Sequence, residues 1–379
     1  MAESTAHLVD QVIPRVPVRL WVLSFPIPLR ILFAAPPELL TPVLRIIHRV
    51  IAGYLLKQAG LNRTTADTGA VTLIQRFGSA ANLNIHLHCL VLDGVYRRTE
   101  GEPDFHEARG PSRDELAGLL DKIIARLMKL LTRLGYLIEE QGMTYIADMD
   151  ADNPLASLQA ASCIYRIALG PRAGQKVLSL RTVAGRDEKT RAGLCADAHG
   201  FSLHAGVRCG AHQRNELERL CRYITRPAIA DERLKRGDVV LQLKSAWRDG
   251  TTHIRMSPLE FMQRLAALVP RPRLHLIRFH GVLAPNAGLR AAIVPGPAEN
   301  ISVPADEHAH GAPARMSWSR LLRRVFDIDL ERCVCGGKLK IIAAIEEQAV
   351  IVKILTHLGL PARAPPRSPA RSLTLFQAA

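Results

Sequence analysis

The run Leu83-Asn84-Ile85-His86-Leu87-His88-Cys89-Leu90 alternates apolar and polar residues through His88, the pattern of an extended strand with two unlike faces. Leu83, Ile85, Leu87 and Cys89 are expected to face a core, and Asn84, His86 and His88 the opposite side. Two imidazoles at i and i+2 on one face can be offered to a single divalent cation. They can equally be structural histidines on a half-buried strand, and the spacing leaves both readings open.

A second candidate lies far downstream, in Arg222-Tyr223-Ile224-Thr225-Arg226-Pro227. Residues 212–225 read as a helix in which Leu217, Leu220, Cys221 and Ile224 form one apolar stripe. Tyr223 falls about 60° off the edge of that stripe by the helical step. At such a boundary a tyrosine can turn its hydroxyl outward or pack beside the helix. A phenol, with an ordinary pKa of about 10, attacks a phosphodiester only beside cations or a metal that stabilises the charge. Arg219, Arg222 and Arg226 lie one turn or less away and are candidate DNA-binding residues.

The charge balance points the same way. The chain has 50 Lys and Arg against 35 Asp and Glu, a net charge of +15 over 379 residues. Such an excess fits a polyanionic partner, most simply nucleic acid. An apolar fraction of 48% is enough for a packed core, so wholesale disorder is excluded. Seven scattered cysteines, an odd number in a long chain with no basic and apolar leader, fit free thiols in a reducing cytoplasm. The apolar runs are broken well before membrane-spanning length, so no membrane association is expected.

Residues 18–25 read as a strand ended by Pro26 and Pro28. A helix is predicted over 37–59, strands over 71–77 and 83–92 as an antiparallel pair, and a turn at Asp93-Gly94. A long helix over 113–135 follows, then strands at 176–183 and 201–208 and the tyrosine helix. A hairpin is predicted from 239–243 and 251–255 around Asp249-Gly250. A helix over 258–268 and a strand over 274–280 complete a domain spanning 1–293. A Pro-, Ala- and Gly-rich linker over 294–315 leads to a small helical unit at 316–360 and a disordered tail at 361–379. Cys333 and Cys335 are a candidate zinc pair. Their spacer is one residue where a zinc knuckle has two, and His357 is the only later candidate ligand.

Several blocks occur in an order that resembles one family. They are Gly69-Ala70-Val71-Thr72-Leu73-Ile74-Gln75-Arg76-Phe77-Gly78, Asn82 to His88, Leu92-Asp93-Gly94-Val95-Tyr96, Gly200 to Ala205, Arg222 to Pro227 and His280-Gly281-Val282-Leu283-Ala284-Pro285. The chain resembles, over about residues 1–360, the rolling-circle transposases of the insertion-sequence-91 group and the related common-region elements. These belong to the HUH nucleases, named for His-hydrophobic-His.

The resemblance implies an α+β fold, a mostly antiparallel sheet with flanking helices and a small C-terminal helical unit. It implies that His86 and His88 hold Mg²⁺ or Mn²⁺, with Gln75 or His204 as third ligand. It further implies that Tyr223 nicks single-stranded DNA at element ends through a 5′-phosphotyrosine and passes the strand to a target, in the bacterial cytoplasm at the nucleoid. Some relatives carry a second tyrosine four residues earlier; Arg219 stands there, so the single-tyrosine branch is implied. Relatives look to begin with a cysteine-rich zinc domain, and no cysteine precedes Cys89, so a truncated copy is expected. A replication initiator or relaxase, or an inactive nucleic-acid-binding remnant, are the competing readings.

Overall fold

The computed structural model describes residues 2–99, 101–147, 153–183, 193–229, 233–235, 239–272, 274–295, 316–333, 335–339 and 345–359. The chain divides into a larger unit, His7–Glu299, and a smaller one that takes in Met1–Ala6 and Asn300–Ala379. The expected linker from 296 onward and the expected tail lie outside the described residues.

Helix α1 (Ala2–Gln11) precedes β1 (Val18–Ser24), α2 (Ile27–Ala34) and α3 (Leu40–Gln58). A short β2 (Ala66–Asp67) leads to β3 (Gly69–Phe77), β4 (Leu83–Leu92), β5 (Gly94–Arg97) and β6 (Asp104–Glu107). Next come α4 (Arg113–Arg133), the hairpin β7 (Leu137–Glu140) and β8 (Met143–Ile146), and α5 (Ala156–Cys163). Then follow β9 (Leu178–Arg181), β10 (Cys195–Ala198), β11 (Phe201–Cys209) and α6 (Arg214–Ile224). The larger unit ends with β12 (Leu234–Lys235), β13 (Val239–Gln242), β14 (Thr251–Met256), α7 (Pro258–Leu268), β15 (Ile277–Gly281) and α8 (Arg290–Ile293). The smaller unit holds α9 (Trp318–Phe326) and α10 (Gln348–His357).

Six strands form the main sheet in the order β10-β11-β1-β4-β3-β15, and every neighbouring pair is antiparallel. The fold is therefore α+β, a mostly antiparallel sheet flanked by helices, as expected. Because side chains alternate along each strand, one face collects Trp21, Leu23, Phe25, Ile74, Leu83, Ile85, Leu87, Cys89 and Val91. The apolar stripes of α2, α3 and α4 cover that face and complete the core. The second sheet, β12-β13-β14-β9, has its own small core of Leu241, Leu243, Ile254 and Met256 beside Ala80 and Ala81.

The prolines act differently from expectation. Pro26 and Pro28 end the first strand, but they also start α2: Pro26 is extended, and Pro28 occupies the first helical turn, where a missing N–H costs nothing. At Pro36 and Pro37 the expected helix over 37–59 begins as a 3₁₀ turn, and the α-helix proper starts at Leu40. Asp93, expected in a plain turn, is instead a buried carboxylate. Arg19 Nε and Nη2 donate to its two oxygens, each at 2.8 Å, and Arg19 Nη1 donates to the Ala205 carbonyl at 3.1 Å. Arg208, opposite Arg19 on β11, donates to the same carboxylate at 2.8 Å. One carboxylate thus ties the end of β4 to β1 and β11.

Removing one partner of a buried pair strands the other charge, at a cost of about 3–5 kcal/mol. Asp93→Ala is expected to lower stability by that amount in urea unfolding. Arg208→Ala, whose side chain is 37% exposed, should cost only about 1 kcal/mol. Equal losses in the two variants would show that Arg19 is not the anchored charge.

Candidate functional site

His86 and His88 stand on the face of β4 that turns away from the core, beside β1 and β3. Their rings lie 4.9 Å apart, centroid to centroid, and inclined at 62°. The i, i+2 spacing therefore does bring both imidazoles to one side of an interior strand. Across the sheet, Gln75 sits opposite His86 on β3, and Ser24 sits opposite it on β1.

The hydrogen bonds fix the ring tautomers. His86 Nδ1 donates to the Asn84 carbonyl at 2.9 Å, which leaves its Nε2 lone pair free to act as an acceptor. His88 Nε2 donates to Gln75 Oε1 at 3.2 Å. His88 Nδ1 is then a buried acceptor with no hydrogen-bond partner among the described residues, and so is Asn84 Oδ1. Burial pushes the His86 imidazole down to about 4; the Asn84 carbonyl opposes this, and the Arg30 and Arg226 charges add to it. Burial likewise holds His88 well below its ordinary value, helped by His86, Arg226 and Lys244. Both rings are neutral near pH 7, the form that can ligate a metal.

Tyr223 comes from α6, whose buried residues are Leu217, Glu218, Leu220, Cys221 and Ile224. The tyrosine is at the edge of that stripe, half-buried, as its helical phase requires. Lys244 donates to its hydroxyl at 2.9 Å and stands 4.2 Å from the ring centroid, and the Arg226 guanidinium stands 4.5 Å from it. Of the three arginines singled out in the sequence, Arg226 is thus the one on the ring. Arg222 pairs with Glu218 at 3.3 Å, and Arg219 lies on α6, half-buried. Gln75 Nε2 donates to the carbonyl of Ile224 at 3.4 Å. One amide therefore joins His88 to the end of the tyrosine helix.

His204 shares the histidine face, but on β11. Its neighbour on β1, Val22, is in turn the neighbour of His88, which puts two strand spacings, roughly 10 Å, between the histidines. Gln75 is bonded to His88 and sits opposite His86, whereas His204 stands two strands away from His88. Among the described residues no three His, Cys, Asp or Glu side chains gather as a metal-holding group. The donors at hand are His86 Nε2, His88 Nδ1 and Asn84 Oδ1, since Gln75 Oε1 already accepts from His88 Nε2. That set fits a loosely held divalent ion whose shell phosphate and water complete, rather than a closed structural site. Cys333 and Cys335 lie in the smaller unit as free thiols, in a turn closed by Cys333 N–H to the Gly337 carbonyl at 2.8 Å.

Sequence reasoning missed Lys244 and Arg30, and it placed Asn84 on the histidine face without giving it a role. Asn84 carried a signal, since it shares the parity of His86 and His88. Lys244 and Arg30 carried none, because packing far along the chain delivers them. Among the described helices, none is long and apolar enough to cross a membrane.

A family model described as "Putative transposase" matches residues 69–290, more than half of the chain, and the matched span holds Gln75, His86, His88, His204, Tyr223 and Lys244. No curated protein and no solved structure matches the chain.

Gln75→Ala is expected to cost about 1–2 kcal/mol, since it removes two hydrogen bonds and leaves His88 Nε2 and the Ile224 carbonyl unmet. Amide exchange at the end of α6 should quicken in the same variant. Unchanged exchange there would show that Gln75 does not hold the helix.

Proposed function

Since the chain belongs to this transposase family, we propose that it is a single-tyrosine DNA nickase and strand transferase of the rolling-circle kind. Its substrates in this reading are single-stranded DNA at element ends and at the target. The observation that carries the reading is the Gln75 amide, bonded at one end to His88 and at the other to the residue after Tyr223. A phosphate between phenol and imidazoles would meet both at once.

In the first step Tyr223 Oη attacks phosphorus. The Oη–P bond forms as the P–O3′ bond breaks, which leaves a 5′-phosphotyrosine and a free 3′-hydroxyl. The phenolic proton passes to water, and water returns a proton to the departing 3′ oxygen, so no net proton is gained or lost. The Lys244 ammonium, already donating to Oη, stabilises the phenolate as it develops. Arg226, against the ring, is placed to receive a phosphoryl oxygen. In the second step a 3′-hydroxyl of another strand attacks the same phosphorus and the Oη–P bond breaks. One phosphodiester is exchanged for another, so no external energy source is needed.

His86 Nε2 and His88 Nδ1, with Asn84 Oδ1, would hold Mg²⁺ or Mn²⁺, which when bound supplies charge stabilisation at the phosphoryl oxygens. The neutral imidazoles and the cations Arg226 and Lys244 together make a site that attracts a phosphate.

Incubation with single-stranded oligonucleotides and Mn²⁺ should give a covalent adduct on a denaturing gel. Tyr223→Phe should lose the adduct while keeping fold and DNA binding. Lys244→Ala should slow adduct formation at least tenfold, and His86→Ala or His88→Ala should remove its dependence on Mn²⁺ along with the activity. An adduct that survives in Tyr223→Phe, or maps to another tyrosine, contradicts the assignment.

A further inference from the structure

The opposite face of the main sheet carries a second cationic site that the chemistry at Tyr223 does not use. A cleft of about 480 Å³ opens between α3 and β15. β15 is the last strand of its sheet, and among the described residues no strand pairs with its outer edge. Arg278 and His280 lie opposite Thr72 and Ala70 of β3, on the α3 side and away from His86 and His88. Arg45, His48 and Arg49 line the cleft from α3, and Arg63 from the loop that follows it.

Its construction is specific. His48 Nε2 is bonded to Thr72 Oγ1 at 2.6 Å, and its ring stacks on His280 with centroids 3.6 Å apart and 25° between planes. Arg63 Nη2 donates to the Arg49 carbonyl at 3.0 Å, which holds its guanidinium on the α3 rim. The acid in the lining, Asp67, is already paired with Arg98 at 2.7 Å. β15 ends at Gly281, at φ +58, where any Cβ would collide with the Thr68 carbonyl, so the backbone closes tightly over the base of the cleft. Arg278 Nε and His280 Nε2 are buried there with no hydrogen-bond partner among the described residues. Four arginines with no free carboxylate among the described lining residues, and buried polar atoms without a partner there, suit an anion.

We infer that this cleft binds the phosphate backbone of a second DNA segment, distinct from the strand presented to Tyr223. An open sheet edge admits a chain, whereas a closed pocket would admit only a small anion. The flat imidazole pair and the guanidinium forks suit a sugar-phosphate run. A protein that transfers a strand must hold two DNA segments at once, and the two faces of the sheet keep like-charged backbones apart. The DNA identity of the ligand rests on the transposase reading; the anion site itself rests on the cleft alone.

Arg45 and Arg49 are exposed on α3, outside the core and outside the tyrosine site, so Arg45→Ala/Arg49→Ala should fold normally, with an unchanged thermal midpoint. Binding of a long single-stranded and a long duplex DNA would be measured against salt, in the Tyr223→Phe background to suppress chemistry. The log–log salt slope should fall by about 1 per arginine removed, with affinity down roughly tenfold. Arg45→Lys/Arg49→Lys should restore most of both. Adduct formation on a short oligonucleotide, with Tyr223 intact, should be unaffected by the double alanine change. Unchanged slope and affinity in the alanine variant overturn the inference. So does tight, arginine-dependent binding of inorganic phosphate or a mononucleotide with DNA binding unaltered, which would make the cleft a small-molecule site. Failure of the short-oligonucleotide adduct in the unaltered chain counts against the tyrosine reading and leaves the salt-slope comparison standing.

Discussion

The bidentate pair of Arg19 with Asp93 fixes where β4 ends against β1, and with it the face to which each residue of β4 points. Side chains alternate with a period of two, so a slip of one residue would reverse every one of them. His86 and His88 would then enter the core beneath α2, α3 and α4, and Leu87 would take their place. Such a slip is opposed twice. Ile85, Leu87, Cys89 and Val91 would lose their burial, and a carboxylate 1% exposed would lose its guanidinium. Apolar burial sets the parity of the strand, and the ion pair sets its alignment with β1 and β11.

On the other face the electrostatics are lopsided. Arg226 acts on both histidines and Lys244 on His88, while Arg30, from α2, acts on His86; among the described residues no carboxylate joins the imidazoles in a metal-holding group. Positive charge concentrated over neutral imidazoles is costly in the absence of an anion and favourable once a phosphate enters. The cation that donates to the Tyr223 hydroxyl is also one of those that depress His88, so the two halves of the site share one field. Gln75 adds a mechanical link, since its amide spans from the ring of His88 to the backbone of α6.

Much of this was legible in the sequence, for local reasons. The two faces of β4, the apolar stripe of α6 and the hairpin of β13 and β14 follow from periodicities of 2 and 3.6 and from Asp249-Gly250. What escaped depends on long-range packing or on position. Pro26 and Pro28 look alike as strand breakers, and only their place in the first turn shows that they also begin α2. Asp93 looks like a turn residue until β1 and β11 bring Arg19 and Arg208 to it. Lys244 reaches Tyr223 because a second sheet carries it there, and nothing near residue 244 announces that. The stacked pair of His48 and His280 joins residues from α3 and β15, far apart in the chain, and nothing in the block that His280 opens announces His48.

The central claim is that one phosphate meets Tyr223 on one side and the His86–His88 pair on the other. Anomalous diffraction at a manganese wavelength, from crystals of the Tyr223→Phe variant with Mn²⁺ and a single-stranded oligonucleotide, tests it most directly. The account predicts one manganese peak between the two imidazoles, with a DNA phosphate lying between that ion and the ring at position 223. A manganese peak elsewhere, or a phosphate backbone that passes the histidines without approaching that ring, would contradict it.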